Sequence, residues 1–406
     1  MANRGVGAGR WVTWLGSGVA ACAILPSLLH AQASDTIISR DLAAGVVYRQ
    51  FVDKSGPQMM HLVRVDLRRP DLEIRHVRAH DDLRGREKTS DMVRRASAAG
   101  ARVLAAVNAD FFDLKSGENE NNQVIGGEWW KGLKVTDSPY DTYDNVHAQF
   151  ALDNLHRPSI ERFILDGRAW ARGIMTPIIT MNFNPTGTYE GTALFTPRYG
   201  AVTPRDTARQ TAEAAMATTG RRGDTLLFVR RGAVFTTSAS PIPRDGVVLS
   251  AYGSRTKEVQ AMAEGDTIKV LLTTVPRLSR GAAPSLIVGG WPRILRDGEN
   301  VAGDAATIEG TISRNAEMRH PRTAIGFSRD SATLFLLTVD GRSQKSVGVT
   351  LVELARIMRT LGAWQALNFD GGGSTTMVIG AAVVNVPSDS TGERAVGDAL
   401  LVVRKP

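Results

Sequence analysis

Two aspartates in the last third of the chain each close an apolar run. Leu334 to Val339 leads into Asp340-Gly341-Arg342, and the run 364–369 leads into Asp370. Carboxylates at such strand ends can serve as general base, nucleophile or metal ligand. Asp370 opens Gly371-Gly372-Gly373-Ser374-Thr375-Thr376. Three glycines let the backbone approach a ligand and take positive φ. Their N–H groups, with the Ser374 and Thr375 hydroxyls, could hold an anion. The competing reading is a tight turn between two strands. No Gly-Lys-Ser/Thr follows, so this is not a P-loop. Arg322, in His320-Pro321-Arg322-Thr323, carries a planar fork that suits phosphate. Arg342 and Lys345 lie just past another strand end, and each of these cations also reads as a solvated loop charge.

Further upstream, Asn108-Ala109-Asp110-Phe111-Phe112 sets a polar pair beside aromatic walls, an arrangement suited to a sugar. The alternative makes the phenylalanines core and Asp110 a turn cap. Trp129-Trp130 and Trp291 could stack on a sugar ring or simply pack. His76-x-x-x-His80 with Asp81-Asp82 is a weak metal pattern without an HExxH pair, so no metal and no cofactor is expected. Gly-x-Ser-x-Gly is absent, which leaves no nucleophile elbow.

The elements that must position these groups are mostly strands. Val63, Val65 and Leu67 alternate with charged residues, a period of two that predicts a strand over 61–68. Further strands are expected at 46–52, 102–107, 147–152, 225–230, 268–274, 323–328, 334–339, 364–369 and 398–403. Thr350-x-x-Glu353 is a capping box, and Leu351, Leu354, Met358 and Leu361 recur at helical spacing, so a helix is expected over 350–361, stopped by Gly362. A second helix is expected at 90–99, stopped by Gly100. The Ala- and Thr-rich stretch 206–222 reads as a surface helix or insertion, and 297–320 as a long polar loop.

Strand, helix, strand over 334–369 reads as a parallel right-handed crossover. If its strands are neighbours, Asp340 and Asp370 share one carboxyl edge, where ligands bind in α/β units. Gly100-Ala101 leads through a strand to Asn108-x-Asp110, just as Gly362-Ala363 leads to Asn368-x-Asp370. In both places a buried strand ends in polar residues facing a cleft or turn.

Composition sets the outer bounds. The chain has 406 residues, 43% hydrophobic and 22% charged, which excludes a disordered chain, a collagen-like repeat and a polytopic membrane protein. The net charge of +8 suits solubility or attraction to an anionic substrate, and no basic run with interleaved aromatics points to nucleic acid. Arg4 and Arg10, the apolar run Trp11 to Leu29 and Ala31-Gln32-Ala33 read as a signal peptide cut after Ala33. The alternative is lipoprotein processing at Cys22, the single cysteine. Either way the chain leaves the cytoplasm, keeps no membrane span after processing and has no disulfide. Residues 34–406 are expected to form one α+β unit of mixed sheets with a few helices, allowing two closely packed sheet lobes. The oligomeric state is not set by the sequence.

NFDGGGSTT at 368–376 resembles the signature of the phosphodiester glycosidase family. VNADFFD at 107–113, LFTPRYG at 194–200, DGVVLSAYG at 245–253, VGGWPRILRDG at 288–298, RHPRTAIGF at 319–327, TVDGRSQKSVGVTLVELA at 338–355 and GERAVGDALLVV at 392–403 are similar to family blocks in the family's order. The likeness runs from about residue 60 and is strongest from 284 onward. Ala109 stands where the family usually has glycine, and Trp291 is unusual in the Gly-Gly-x-Pro block.

The resemblance implies an exported hydrolase that cleaves a sugar-1-phosphodiester at the anomeric carbon, releasing free sugar and a phosphomonoester. It implies a catalytic set of Asp370, Asp340, Arg322 and Asp110. It implies substrate contacts from Asn108, Thr323, Arg342, Asn368, Gly371, Gly372, Gly373, Ser374 and Thr375. The expected partner is a sugar-phosphate or glycan, of an envelope or exopolysaccharide kind. Two other readings stand beside it: a non-catalytic polysaccharide-binding protein, and a metal-dependent phosphodiesterase that cuts the P–O bond.

Overall fold

The structure is a computed structural model that describes residues 35–53, 56–134, 147–184, 191–278, 282–309 and 318–405. The expected targeting segment 1–33 lies outside the described residues. Every strand expected from periodicity is present, and many more besides. Strands outnumber helices so heavily that the α+β expectation holds only in its broad sense.

An eight-stranded sheet carries the C-terminal third of the site. In its centre, Arg322–Phe327 lies between Thr333–Val339 and Gln365–Phe369, antiparallel to both. The two strands of the crossover are therefore parallel in direction but are not neighbours. This corrects the expected adjacency. Arg322–Phe327 sits in the slot between them, because its six residues are all buried and can line a sheet centre on both faces. The shared edge survives: Arg322 pairs with Val339 and Thr323 with Phe369, so Asp340, Arg322 and Asp370 lie at one end of the sheet.

The helix Leu351–Thr360 covers this sheet. Thr350 and Glu353 cap it reciprocally, and Leu351, Leu354, Ala355 and Met358 are buried. Such a cap contributes about 1 kcal/mol. Gly362 then turns the chain with φ 101°, a left-handed conformation that a side chain would strain.

A five-stranded antiparallel sheet holds Arg102–Asn108 between Met377–Ile379 and Asp398–Arg404, with Leu72–Arg78 at its edge. The segment 370–376 thus leaves the eight-stranded sheet and enters the five-stranded one. The core between them takes Val63, Val65 and Leu336 from one sheet and Leu104, Leu400 and Val402 from the other. Helix Thr89–Ala98 packs on the smaller sheet through Met92 and Val93.

The third sheet has twelve strands, seven of which close on themselves. Going round, they are Ile174–Met181, Ile164–Ala171, Thr267–Val275, Thr225–Arg230, Thr211–Arg222, Gly246–Tyr252 and Gly191–Phe195. The ring closes through the parallel pairing of Ile178 with Thr192 and Met181 with Leu194. The stretch 206–222 is mostly barrel strand, not a helix. Ala212, Ala214 and Met216 lie two apart along the strand and are buried in the barrel core with Phe228 and Leu249, and this burial overrides the helical preference of the alanines. The expected loop 297–320 contains a short strand, Glu299–Asn300, and the helix Ala305–Glu309, and its part over 310–317 lies outside the described residues.

Candidate active site

The site forms where three strands of the large sheet end against the smaller sheet. Asn108 is the pin. Its Nδ2 donates to the Asp370 carbonyl at 2.7 Å, and its Oδ1 accepts from the Thr323 hydroxyl at 2.7 Å and the Thr376 N–H at 3.1 Å. The Asp370 N–H donates to the Ala109 carbonyl at 2.9 Å. The two Asn-x-Asp strand ends therefore meet head on. Asn108 and Thr323, expected to touch substrate, spend their side-chain bonds on each other and on this junction.

Asn368 does similar work next door. Its Nδ2 donates to the Trp291 carbonyl at 2.6 Å, its backbone carbonyl accepts from Trp291 N–H, and its Oδ1 is buried without a hydrogen-bond partner among the described residues. Trp291 stacks on His147 at 5.3 Å and meets Phe111 edge-on at 6.1 Å, so the aromatic residues form one wall beside Asp110.

Of the three aspartates, Asp370 is the least buried as a residue. Burial raises its pKa to about 6, against the opposing pull of the Ser374 hydroxyl, Arg394 and the Gly371 N–H. Arg322, buried beneath Gly371, donates to the carbonyls of Val349 at 3.2 Å and Met318 at 3.0 Å. Burial, with Arg342 nearby, lowers its pKa to about 10, while Asp370 opposes the shift. Arg342 is exposed and holds its neighbours loosely, Ser388 Oγ at 3.3 Å and His320 Nδ1 at 3.4 Å. A Cβ on Gly372 would lie 2.9 Å from its Nη2, so Arg342 arches over the loop.

The glycines serve the protein's own packing. A Cβ on Gly373 would lie 2.1 Å from Asp389 and 2.2 Å from Arg394, and one on Gly371 2.8 Å from the Pro321 carbonyl. The N–H of Gly372 donates to Pro321, that of Ser374 to Gly371 and that of Thr375 to Gly372. The expected amide cradle for an anion is thus largely spent on the loop's own turn. The hydroxyls of Thr375 and Thr376 are buried with no hydrogen-bond partner among the described residues. Arg394 pairs with Asp389 through two bonds of 2.8 and 3.1 Å and reaches Ser374 Oγ at 3.4 Å. The sequence carried Arg394 only inside a closing strand block, and no spacing rule linked it to Asp370.

The other two aspartates sit deeper. Asp340 is 3% exposed, accepts the Val386 N–H at 3.1 Å and faces His61 at 3.7 Å. Asp110 is 1% exposed and accepts from Asn121 Nδ2 at 2.7 Å and Phe111 N–H at 2.8 Å. Burial and the neighbouring Asp398 charge raise its proton affinity well above the carboxylate range. Gly289 is packed so closely that a Cβ would fall 2.3 Å from Asp110 Oδ1. The weak metal pattern does not converge: His76 bonds Asp398, while His80 reaches the Arg86 carbonyl.

Residues 215–403 match the family model described as phosphodiester glycosidase. Over 125 residues the chain is 34% identical to the SPbeta prophage-derived protein YomE of Bacillus subtilis, covering 31% of this chain and 18% of that one. Over 110 residues it is 30% identical to the mouse N-acetylglucosamine-1-phosphodiester alpha-N-acetylglucosaminidase, covering 25% of this chain and 21% of that one. The chain thus spans about a fifth of the length of these curated relatives. A hypothetical protein from Synechocystis has the same fold, with a TM-score of 0.70 and 22% identity over 92% of this chain and 65% of that one. No helix among the described residues is long and apolar enough to cross a membrane.

Proposed function

We propose that the phosphodiester-glycosidase match describes the chemistry of this chain: exported and cut after Ala33, it hydrolyses a sugar 1-phosphodiester at the anomeric carbon. The observation that supports the reading is that one loop gathers both kinds of group: Asp370 stands at its start, and the loosely held guanidinium of Arg342 lies over Gly372.

Asp370 takes the proton of an attacking water, or attacks C1 itself. The bond between C1 and the phosphate oxygen breaks, and its electron pair leaves with the phosphate. A phosphate leaves as a weak base, so a strong general acid is not required. Arg342 neutralises the charge on the departing group, and Arg322 and Arg394 add positive potential from below. Asn108, Thr323 and Asn368 hold the loop in place, and the Trp291–Phe111 wall suits the apolar face of a sugar ring. Gly371 to Thr375 set the distance between Asp370 and Arg342. Asp340 and Asp110 support the cleft from behind.

The test is hydrolysis of a panel of sugar 1-phosphodiesters by residues 34–406 in heavy-oxygen water. Free sugar carrying the solvent oxygen supports the reading. Solvent oxygen in the phosphate, with activity lost to a chelator and restored by a divalent ion, would place the cut at the P–O bond. Binding without turnover, unchanged in Asp370→Asn, would favour a polysaccharide-binding protein. The glycines packed by Asp389 and Pro321 are what such a structural turn would need.

A further inference from the structure

Behind the candidate site lies a buried ionisable pair that the reaction above does not use. His76 and Asp398 are 2% and 0% exposed. His76 Nε2 lies 2.7 Å from Asp398 Oδ2. Asp398 Oδ1 accepts the Asp110 backbone N–H at 2.9 Å. One residue earlier, the Ala109 carbonyl accepts the Asp370 N–H at 2.9 Å. The segment Asn108-Ala109-Asp110 is thus gripped by Asp398 on one side and grips Asp370 on the other.

A buried ion pair is weak grounds for stability, since apolar residues of similar volume often serve as well or better. A fixed charge near a reacting carboxylate has a use that apolar residues cannot supply. We propose that His76 and Asp398 are positioning residues of the candidate site: they hold Asn108–Asp110, and through it Asp370, in place, and they supply the negative charge that Asp370 meets from behind. The proposal rests on the reading of Asp370 as the reacting carboxylate.

The electrostatics agree with the geometry. Burial is the main cause of the raised proton affinity of Asp370, and Asp398 adds a smaller push in the same direction, behind the opposing Ser374, Arg394 and Gly371. A carboxylate accepts, so His76 donates from Nε2 and leaves Nδ1 bare. That Nδ1 has no hydrogen-bond partner among the described residues. His76 is among the residues around a cavity of about 500 Å³ whose other ionisable residues are Glu73, Arg75, Arg78, Asp81, His156 and Lys405. Of these, Arg75 pairs with Glu73, and Arg78 is wholly buried between Asp398 and Asp110. The two side chains of the pair are themselves closed off from solvent.

The test compares Asp398→Asn, His76→Leu and His76→Gln in the mature chain, by two readouts. In the pH profile of kcat/KM, Asp398→Asn moves the acid limb set by Asp370 to lower pH. It lowers kcat by about tenfold or more, as displaced reacting groups do, with little change in KM. His76→Leu moves the limb the same way, because it removes the donor that fixes Asp398 against the Asp110 N–H. His76→Gln still donates and keeps the wild-type limb. The second readout needs no turnover: isotope-labelled aspartate carboxyls follow the titration of Asp370 in the resting protein. Asp370 titrating at the same pH in wild type, Asp398→Asn and His76→Leu would overturn the proposal. A wild type without turnover whose Asp370 titration nonetheless shifts in these variants would remove the glycosidase reading and leave the coupling standing. If Asp398→Asn fails to fold, the two His76 variants decide by the same titration.

Discussion

Asn108 and Asp370 lie 262 positions apart and are joined by a hydrogen bond of 2.7 Å from the Asn108 amide to the Asp370 carbonyl. The bond is partly buried, and with the buried Thr323 and Thr376 bonds it locks two sheets at one point. Asn108→Ala leaves several buried polar groups unpaired, each at about 1–3 kcal/mol. The expected outcome is a clear fall in Tm together with loss of activity. A variant as stable as the wild type would show that the junction is not what holds the two sheets together.

Asp370→Asn separates chemistry from fold. Turnover should fall by about a hundredfold or more, the scale of removing a positioned base or nucleophile, with the circular dichroism spectrum unchanged. The wild-type rate should rise with pH through about 6, where Asp370 ionises.

The same shift makes a stability prediction of definite sign. The Asp370 pKa is raised from 3.8 to about 6, so the folded chain binds this proton more tightly than the unfolded one. Its contribution is complete below 3.8 and is lost as pH rises through about 6. The uncharged Asp370→Asn lacks that loss, so its Tm relative to wild type should improve between pH 4 and pH 7 (roughly the span set by the linkage relation). A Tm difference that stays flat across this range would refute the shift.

Arg342→Ala should raise KM for a phosphodiester by about tenfold or more, and leave Tm within about 1 °C, since surface changes are usually near neutral. Arg342→Lys should recover only part of the loss, because an ammonium cannot replace the planar fork. Equal KM in all three proteins would place phosphate recognition elsewhere.

Gly373→Ala tests the loop's packing against Gly303→Ala as control. The first forces a Cβ into the Asp389–Arg394 pair, and the second meets nothing within 4 Å. Overpacking costs about 1–3 kcal/mol, so only Gly373→Ala should lower Tm by several degrees. Equal melting of the two variants would mean that the ion pair yields freely.

The sequence made the strands that flank the site legible, because Leu334–Val339 and the run 364–369 are short apolar runs ending in Asp, and the capped helix between them carries helical spacing. It did not show that Arg322–Phe327 lies between the crossover strands, since a strand buried on both faces names no neighbours. Most barrel strands were also hidden. Gly191–Phe195, Thr211–Arg222 and Gly246–Tyr252 have buried residues on both faces, so the two-residue alternation that marks a half-exposed strand is missing. Within the candidate site, the motif Asn368 to Thr376 reads differently once the fold is known. Its glycines are spaced for Pro321, Asp389 and Arg394, which only the fold brings near.

The order in which the sheets draw on the chain limits when the molecule can come together. Gln58–Asp66 waits for Thr333–Val339, and Leu72–Arg78 waits for Asp398–Arg404. The first strands made therefore have no permanent neighbours on those sides until nearly the whole chain has been delivered. Long-range pairings of this kind form slowly, because the intervening loop must close before any bond rewards it. The barrel strands between Ile164 and Val275 pair among themselves and need no such wait, whereas the candidate site is complete only when the final strand locks Asp398 behind Asp110.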